Sequence, residues 1–163
     1  MKLRLVLDTN KALSSLVRNG VVRRLILHPA IELYAPEYLV EEIDEHKSDI
    51  LKKLPEEFFH LMMDELKRKL IVVKAEELVS YRDEAVRITQ EFDIDDWPFV
   101  AVALRLGIPI WTNDKALIRH SLRSSRYLAI DTVILLKVLR GELDLEDRRV
   151  IKKDLEARIY HAA

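Results

Sequence analysis

The chain has no cysteine and only 3 glycines among its 163 residues. The first absence excludes disulfides and thiolate metal sites, so any bound metal must be held by oxygen or imidazole. The second points to a compact chain with tight loops rather than a disordered one. Long hydrophobic runs are also missing. None approaches the roughly 18 residues of a transmembrane helix, and the N-terminal MKLRLVLDTN has no signal-peptide layout. A soluble, cytosolic protein with no membrane contact is therefore expected. Nor is there an excess of charge of either sign. The formal net charge of −1 gives no overall pull toward nucleic-acid phosphates, so any such pull must be local. What is present is apolar residues at 49% and charged residues at 34%. That suffices for one good core, and residues 1–163 are expected to form a single domain. The abundance of Glu, Lys and Arg also suits ion-pair networks.

Short branched apolar runs near residues 3–7, 32–35, 71–74, 108–112 and 127–130 read as strands, and helical periodicities separate them. Two short helices follow Asp8-Thr9-Asn10, with a turn at Asn19-Gly20 and a stop at Pro29. Pro36 opens a long amphipathic helix to Leu54, with a core stripe of Leu39, Ile43, Ile50 and Leu54. On that helix Glu41 points away from the stripe, whereas Glu42 lies on its flank, one turn from His46, whose expected place is packed on the inner face. Pro55 begins a helix to about Lys69 with Phe58, Leu61, Met62 and Leu66 as its apolar face and Phe59 as a further candidate for it. Residues 75–91 read as one further helix that uses Leu78, Val79, Ala85, Val86 and Ile88. After Gly141 the tail LDLEDRRVIKKDLEARIY is a charged helix whose narrow apolar stripe suits either a dimer seam or closure of the core. The alternation predicts an α/β fold, a three-layer α/β/α arrangement around a mainly parallel sheet, with a core at about 3–131 and a helical extension at about 132–163.

The stretch from Asp93 to Asp114, DIDDWPFVAVALRLGIPIWTND, stands out. Its helix is apolar almost all round and its strand IPIWT is continuously apolar, so both belong in the interior. Acids nevertheless border both elements. Each acid alone has a plain structural explanation: Asp8 and Asp114 follow strands and precede helices, which is where N-caps stand. Asp95 and Asp96 suit a first helical turn. Asp95 is read as the cap and Asp93 as solvated.

Together they suggest chemistry. In a parallel sheet Asp8 and Asp114 share the carboxyl edge, where ligands of such sheets bind. The buried helix brings Asp96 there and the helix after Pro36 can set Glu42 opposite. Four carboxylates in one cleft repel one another, and no Lys or Arg is fixed inside these motifs, so a divalent cation is the expected neutraliser. An all-oxygen site suits Mg²⁺ or Mn²⁺, which activates water and stabilises charge on a phosphoryl oxygen, as phosphodiester hydrolysis requires.

LVLDTN, PEYLVEEI, DWPFVAVAL and IPIWTND resemble, in order and spacing, the four acidic blocks of the PIN-domain nucleases. The likeness covers roughly residues 3–131. It implies that Asp8, Glu42, Asp96 and Asp114 are the metal-binding, catalytic acids, with Thr9, Asn10, Thr112 and Asn113 orienting carboxylates or waters. It implies also a metal-dependent endoribonuclease acting on single-stranded RNA, often a homodimer and often the toxin of a toxin–antitoxin pair. The middle helices and the tail are longer than the compact toxin pattern. Arg119, His120, Arg123 and Arg126 follow the last acid and are candidates for RNA phosphates, with Arg18, Arg23 and Arg24 as a second basic group. Trp97 and Trp111, embedded in apolar runs, are expected in the core.

A phosphorylated receiver domain is excluded, because the first strand offers only Asp8 and Asp131 stands where a lysine is required. The rival reading is a PIN-like module that binds RNA or protein with weak catalysis.

Overall fold

The computed structural model describes residues 2–160. Met1 and residues 161–163, the end of the expected extension, lie outside them. Five strands form one sheet: β1 (Leu3–Leu7), β2 (Ile31–Pro36), β3 (Leu70–Val73), β4 (Ile110–Trp111) and β5 (Ala129–Ile130). Their spatial order is β3-β2-β1-β4-β5 and all four pairings are parallel. Helices cover both faces, giving the three-layer α/β/α arrangement. The strand order reverses at β1, between β2 on one side and β4 on the other. Such a switch point opens a crevice beyond the carboxyl ends of the strands, and Asp8 and Asp114 follow the two strands that flank it.

The central strands are buried because they carry apolar side chains on both faces. Leu5, Val6, Leu7, Ile110 and Trp111 are fully buried. The last two strands pair only at Ile110–Trp111 and Ala129–Ile130, shorter than the apolar runs that announced them. Ile108, Tyr127 and Leu128 are buried all the same, as packed approach segments rather than ladder residues.

Helices α1 (Thr9–Val17) and α2 (Val21–Ile26) follow β1, and α3 (Tyr38–Glu45) and α4 (Lys47–Leu51) follow β2. The expected single helix from Pro36 to Leu54 is thus broken at His46. No side chain between Asp44 and Asp49 is buried, so nothing in the core holds that turn, and His46 is exposed instead of packed on an inner face. Leu39, Ile43 and Ile50 are buried as expected, with Leu54 partly so.

Helix α5 (Glu56–Lys69) buries Phe59, Met63 and Leu66, and leaves Phe58 and Leu61 exposed. Leu66 and Phe59 are thus buried as expected and Met62 partly so, while Met63 takes the inward place expected of Phe58 and Leu61. Residues 75–91 form a 3₁₀ segment (Ala75–Tyr81) and then α6 (Arg82–Thr89). Leu78 is the only buried residue of the 3₁₀ segment and Val79 is 69% exposed; with so little apolar anchorage the expected continuous helix does not form.

A 3₁₀ turn (Ile94–Asp96) leads into α7 (Trp97–Leu106), which buries every residue from Pro98 to Leu104 and packs on β1, β2, β4 and α6. Gly107, at φ 66°, ends it in the left-handed conformation that glycine adopts most readily. Helix α8 (Lys115–Leu122) follows β4, and α9 (Thr132–Leu139) follows β5. Helix α10 (Arg148–Ile159) starts later than the tail pattern suggested, where Asp147 caps it through the Val150 N–H. It buries Ile151, Leu155 and Ile159, so its stripe closes the core.

Candidate functional site

A cleft of about 240 Å³ at the carboxyl edge of the sheet is lined by Asp8, Thr9, Asn10, Glu42, Asp93, Asp95, Asp96, Phe99, Thr112, Asp114 and Leu117. Asp8 comes from the end of β1, Glu42 from α3, Asp96 from the start of α7 and Asp114 from the end of β4. The four expected acids therefore meet in one place although they are spread over more than a hundred residues.

Each acid is held differently. Asp8 caps α1, one oxygen accepting the Lys11 N–H at 2.8 Å. Glu42 accepts the Thr9 hydroxyl at 2.9 Å on one oxygen. Asp114 caps α8 through the Ala116 N–H at 2.9 Å and the Leu117 N–H at 3.4 Å, again on one oxygen, and its own N–H donates to the Thr112 hydroxyl. Asp96 stands at the N-cap of α7 but makes no capping bond. Capping is thus not an alternative to a site role here, since a cap occupies one oxygen and a carboxylate has two.

The cap before α7 falls on Asp93, whose carboxylate accepts the Asp95 N–H at 3.0 Å. Asp95 is exposed. Asp93 is exposed as expected, but the cap lies on it, two residues before the expected Asp95, because a 3₁₀ turn precedes the helix.

The charges are costly where they stand. Burial raises the Asp96 carboxyl from 3.8 to about 7, and Asp93, Asp114, Asp8 and Glu42 add to the rise. Burial also raises Asp8, against the lowering effects of the Thr112 hydroxyl, the Lys11 N–H and the Lys11 ammonium. Burial raises Glu42, with Thr9 opposing it. Hard oxygen donors that are mutually repelling suit a divalent cation of the Mg²⁺ or Mn²⁺ type. Among the described residues, however, no three His, Asp or Glu side chains are drawn together closely enough to hold an ion as they stand. Coordination would need side-chain rotation, for which the uncapped Asp96 is the freest.

The other expected residues divide. Thr9 and Thr112 touch site carboxylates or their backbone, and Asn10 lines the cleft. Asn113 lines a different cavity, with Asp131, Thr132 and Arg158. Arg119 and Arg123 are exposed on α8 and its C-cap. The Arg126 guanidinium is held by both oxygens of Glu84 at 2.9 Å. His120 bonds the Tyr127 hydroxyl at 2.9 Å and lies 3.4 Å from Glu91. Arg23 donates to the Ser15 and Leu16 carbonyls at the end of α1, a structural role, while Arg18 and Arg24 are exposed. Trp111 is fully buried as expected. Trp97 is only half-buried; it packs edge-on to Tyr38 under the Arg82 guanidinium, in a groove beside the acids.

One residue was missed. Lys11, three positions after Asp8, is 5% exposed, so a lysine is in fact fixed inside an acidic motif. The signal was its position: Lys11 and Ser15, like Ala12 and Leu16, share the buried face of α1.

The sequence model of the PIN domain matches residues 6–152. A search of curated proteins found no match. Among solved structures, a chain described as VapBC2 from Rickettsia felis bound to a DNA fragment from their promoter superposes with a TM-score of 0.61 at 12% identity. The superposition covers 79% of this chain and 98% of that one. At that identity it speaks for the fold.

Proposed function

This chain belongs to the PIN-domain family, and from that premise we propose that it is a divalent-metal-dependent endoribonuclease that hydrolyses phosphodiester bonds of single-stranded RNA. The observation that carries the reading is the convergence of Asp8, Glu42, Asp96 and Asp114, from four separate elements, on one cleft at the switch point of the sheet. Proteins of this family are generally metal-dependent nucleases, which the donor set here suits.

Those four carboxylates would hold Mg²⁺ or Mn²⁺. The ion, when bound, lowers the pKa of water and stabilises negative charge on the phosphoryl oxygen. The chain's own contribution is orientation. The Lys11 N–H, the Thr9 hydroxyl and the α8 backbone each fix one carboxylate oxygen, so that the second is presented with little loss of freedom. The packed α7 and β4 supply the stiffness to hold Asp96 and Asp114 near Asp8 despite repulsion. Arg119 and Arg123 are the exposed cations proposed to meet RNA phosphates, with Arg126 available only on release from Glu84.

Asp8→Asn and Asp96→Asn are each expected to abolish Mn²⁺-dependent cleavage of a single-stranded RNA while the melting temperature is kept or raised. Unchanged cleavage in both variants sinks the assignment. That no three acidic or histidine side chains among the described residues stand close enough to hold an ion favours a second reading, a module that binds RNA or protein with little catalysis. RNA retention without cleavage in saturating Mn²⁺ would select it.

The reading extends to residues 1–163 acting as one nuclease domain in the cytosol; no helix among the described residues is long and apolar enough to cross a membrane. A protein partner of the antitoxin kind is proposed on the likeness to VapBC2, and a co-purifying small protein encoded next to this chain is its test. A homodimer is proposed as well. Sedimentation equilibrium should then return twice 19.1 kDa, and the single-chain mass would exclude it.

A further inference from the structure

Lys11 is the buried cation for which the proposed chemistry has no use. Its backbone N–H caps on Asp8, and its side chain runs inward instead of to solvent. The ammonium donates to the Thr132 hydroxyl at 3.1 Å and lies 5.7 Å from the centre of the Trp111 ring. Trp111 in turn donates its indole N–H to the same hydroxyl at 3.1 Å. The strands β1, β4 and β5 lie side by side, so the lysine starts beside the end of β1, crosses the end of β4 and finishes at the start of α9 after β5. Lys11 does not line the cleft of acids; it stands behind it. A charge removed from water at 5% exposure is retained only where opposite charge or aromatic faces compensate it. Burial pushes the Lys11 ammonium below its ordinary range, and Asp8 on one side and Asp131 on the other work against that fall in favour of the charged form.

We propose that Lys11 is a positioning residue of the acid cluster: a counter-charge, fixed behind Asp8 by Thr132 and Trp111, that sets how tightly the four acids hold their divalent ion. The inference rests on the metal-site reading above. The lysine makes Asp8 tolerable in the folded chain before any ion arrives, and it repels the ion once bound, so that the ion exchanges instead of being locked in. These two effects oppose each other, which gives the proposal a sign that a merely structural role lacks. With the carboxylates ionised, loss of a unit charge several ångströms from a divalent ion strengthens binding by ~3- to 10-fold at the high effective dielectric of such a site. Loss of a residue that only packs disorders the site and weakens binding.

Calorimetric titration of Mn²⁺ at pH 8 into the unaltered protein, Lys11→Met and Lys11→Arg decides between them. The expected result is tighter binding by Lys11→Met and near-native binding by Lys11→Arg. Equal or weaker binding by a folded Lys11→Met overturns the proposal while native-like binding by the unaltered protein leaves the metal site standing. No binding by the unaltered protein overturns the metal site itself. Should Lys11→Met not fold, the unaltered protein supplies the test: the Lys11 Cε and Nζ resonances are expected to shift as Mg²⁺ is added. Resonances that stay in place through saturation overturn the proposal.

Discussion

At the scale of single residues, one carboxylate dominates. Asp96 is half-buried, lacks the capping bonds of Asp8 and Asp114, and titrates at about 7 in the folded chain against 3.8 for a free carboxyl. Between those values the folded protein binds a proton that the unfolded chain does not, so the stabilising effect of a neutral Asp96 is complete below about 3.8 and is lost as pH rises through about 7. Asp8 and Glu42 are shifted the same way. The metal-free protein should therefore melt at a lower temperature at pH 8 than at pH 5.5, and Mn²⁺ should raise the melting temperature more at pH 8, where the carboxylates are charged. Calorimetry in a chelator, with Asp96→Asn as the control that flattens the pH dependence, checks this. A melting temperature that rises between pH 5.5 and 8 without metal would contradict it. Asp8, Asp96 and Asp114 were readable in the sequence because each stands at the end of a recognisable element, and Glu42 because it flanks the apolar stripe of its helix. The roles of Asp93 and Asp95 were not, since a 3₁₀ turn shifts the cap by two residues without any change in composition.

At the scale of elements, α7 governs the site. It is sealed from Pro98 to Leu104, so its buried middle and its C-cap have opposite tolerance. At Gly107 a Cβ would meet nothing within 4 Å, so Gly107→Ala should cost only the left-handed backbone penalty, about 1 kcal/mol, with cleavage unchanged. Ala101 is fully buried against the sheet. Ala101→Leu adds volume where there is none, and should cost ~1–3 kcal/mol and lower cleavage too by displacing Asp96. Urea denaturation beside a cleavage assay separates the two. Cleavage lost in Gly107→Ala, or kept in full by Ala101→Leu, would show that α7 does not position the acid. This helix was legible because its hydrophobicity has no polar face to confuse the period. The long helix after Pro36 was read as unbroken because Ile43 and Ile50 are one heptad apart, a spacing that survives a break at His46.

At the scale of the whole molecule, the C-terminal helix α10 is tied to the end of β5 and to α9. Arg158 of α10 makes a two-pronged pair with Asp131, at 2.6 and 3.1 Å, and donates to Asp154 at 2.8 Å. Asp154 also accepts Lys137 of α9, and Asp131 caps α9 through the Ile134 N–H. Pairing with Lys137 and Arg158 holds the Asp154 carboxyl below its ordinary range despite burial. Arg158→Met should cost about 1–2 kcal/mol, because Asp131 and Asp154 then lose a charged donor while partly buried. It should also speed hydrogen exchange in α10 ahead of the sheet. Exchange that speeds equally in both would mean that α10 is no separable unit.

Several things were determined by the sequence alone: a parallel α/β sheet, the burial of α7 and β4, and the placing of Asp8, Asp96 and Asp114 at strand and helix ends. These follow from periodicity and capping chemistry, which act over a few residues. Only the tertiary structure decided that the acids meet at a switch point, that α5 turns Met63 inward and leaves Phe58 and Leu61 outside, and that α10 closes the core. Only it showed a lysine buried behind Asp8. The reason is physical: strand order, the choice between two equally periodic faces, and the burial of a charge depend on partners far away in the chain, and no local pattern carries them.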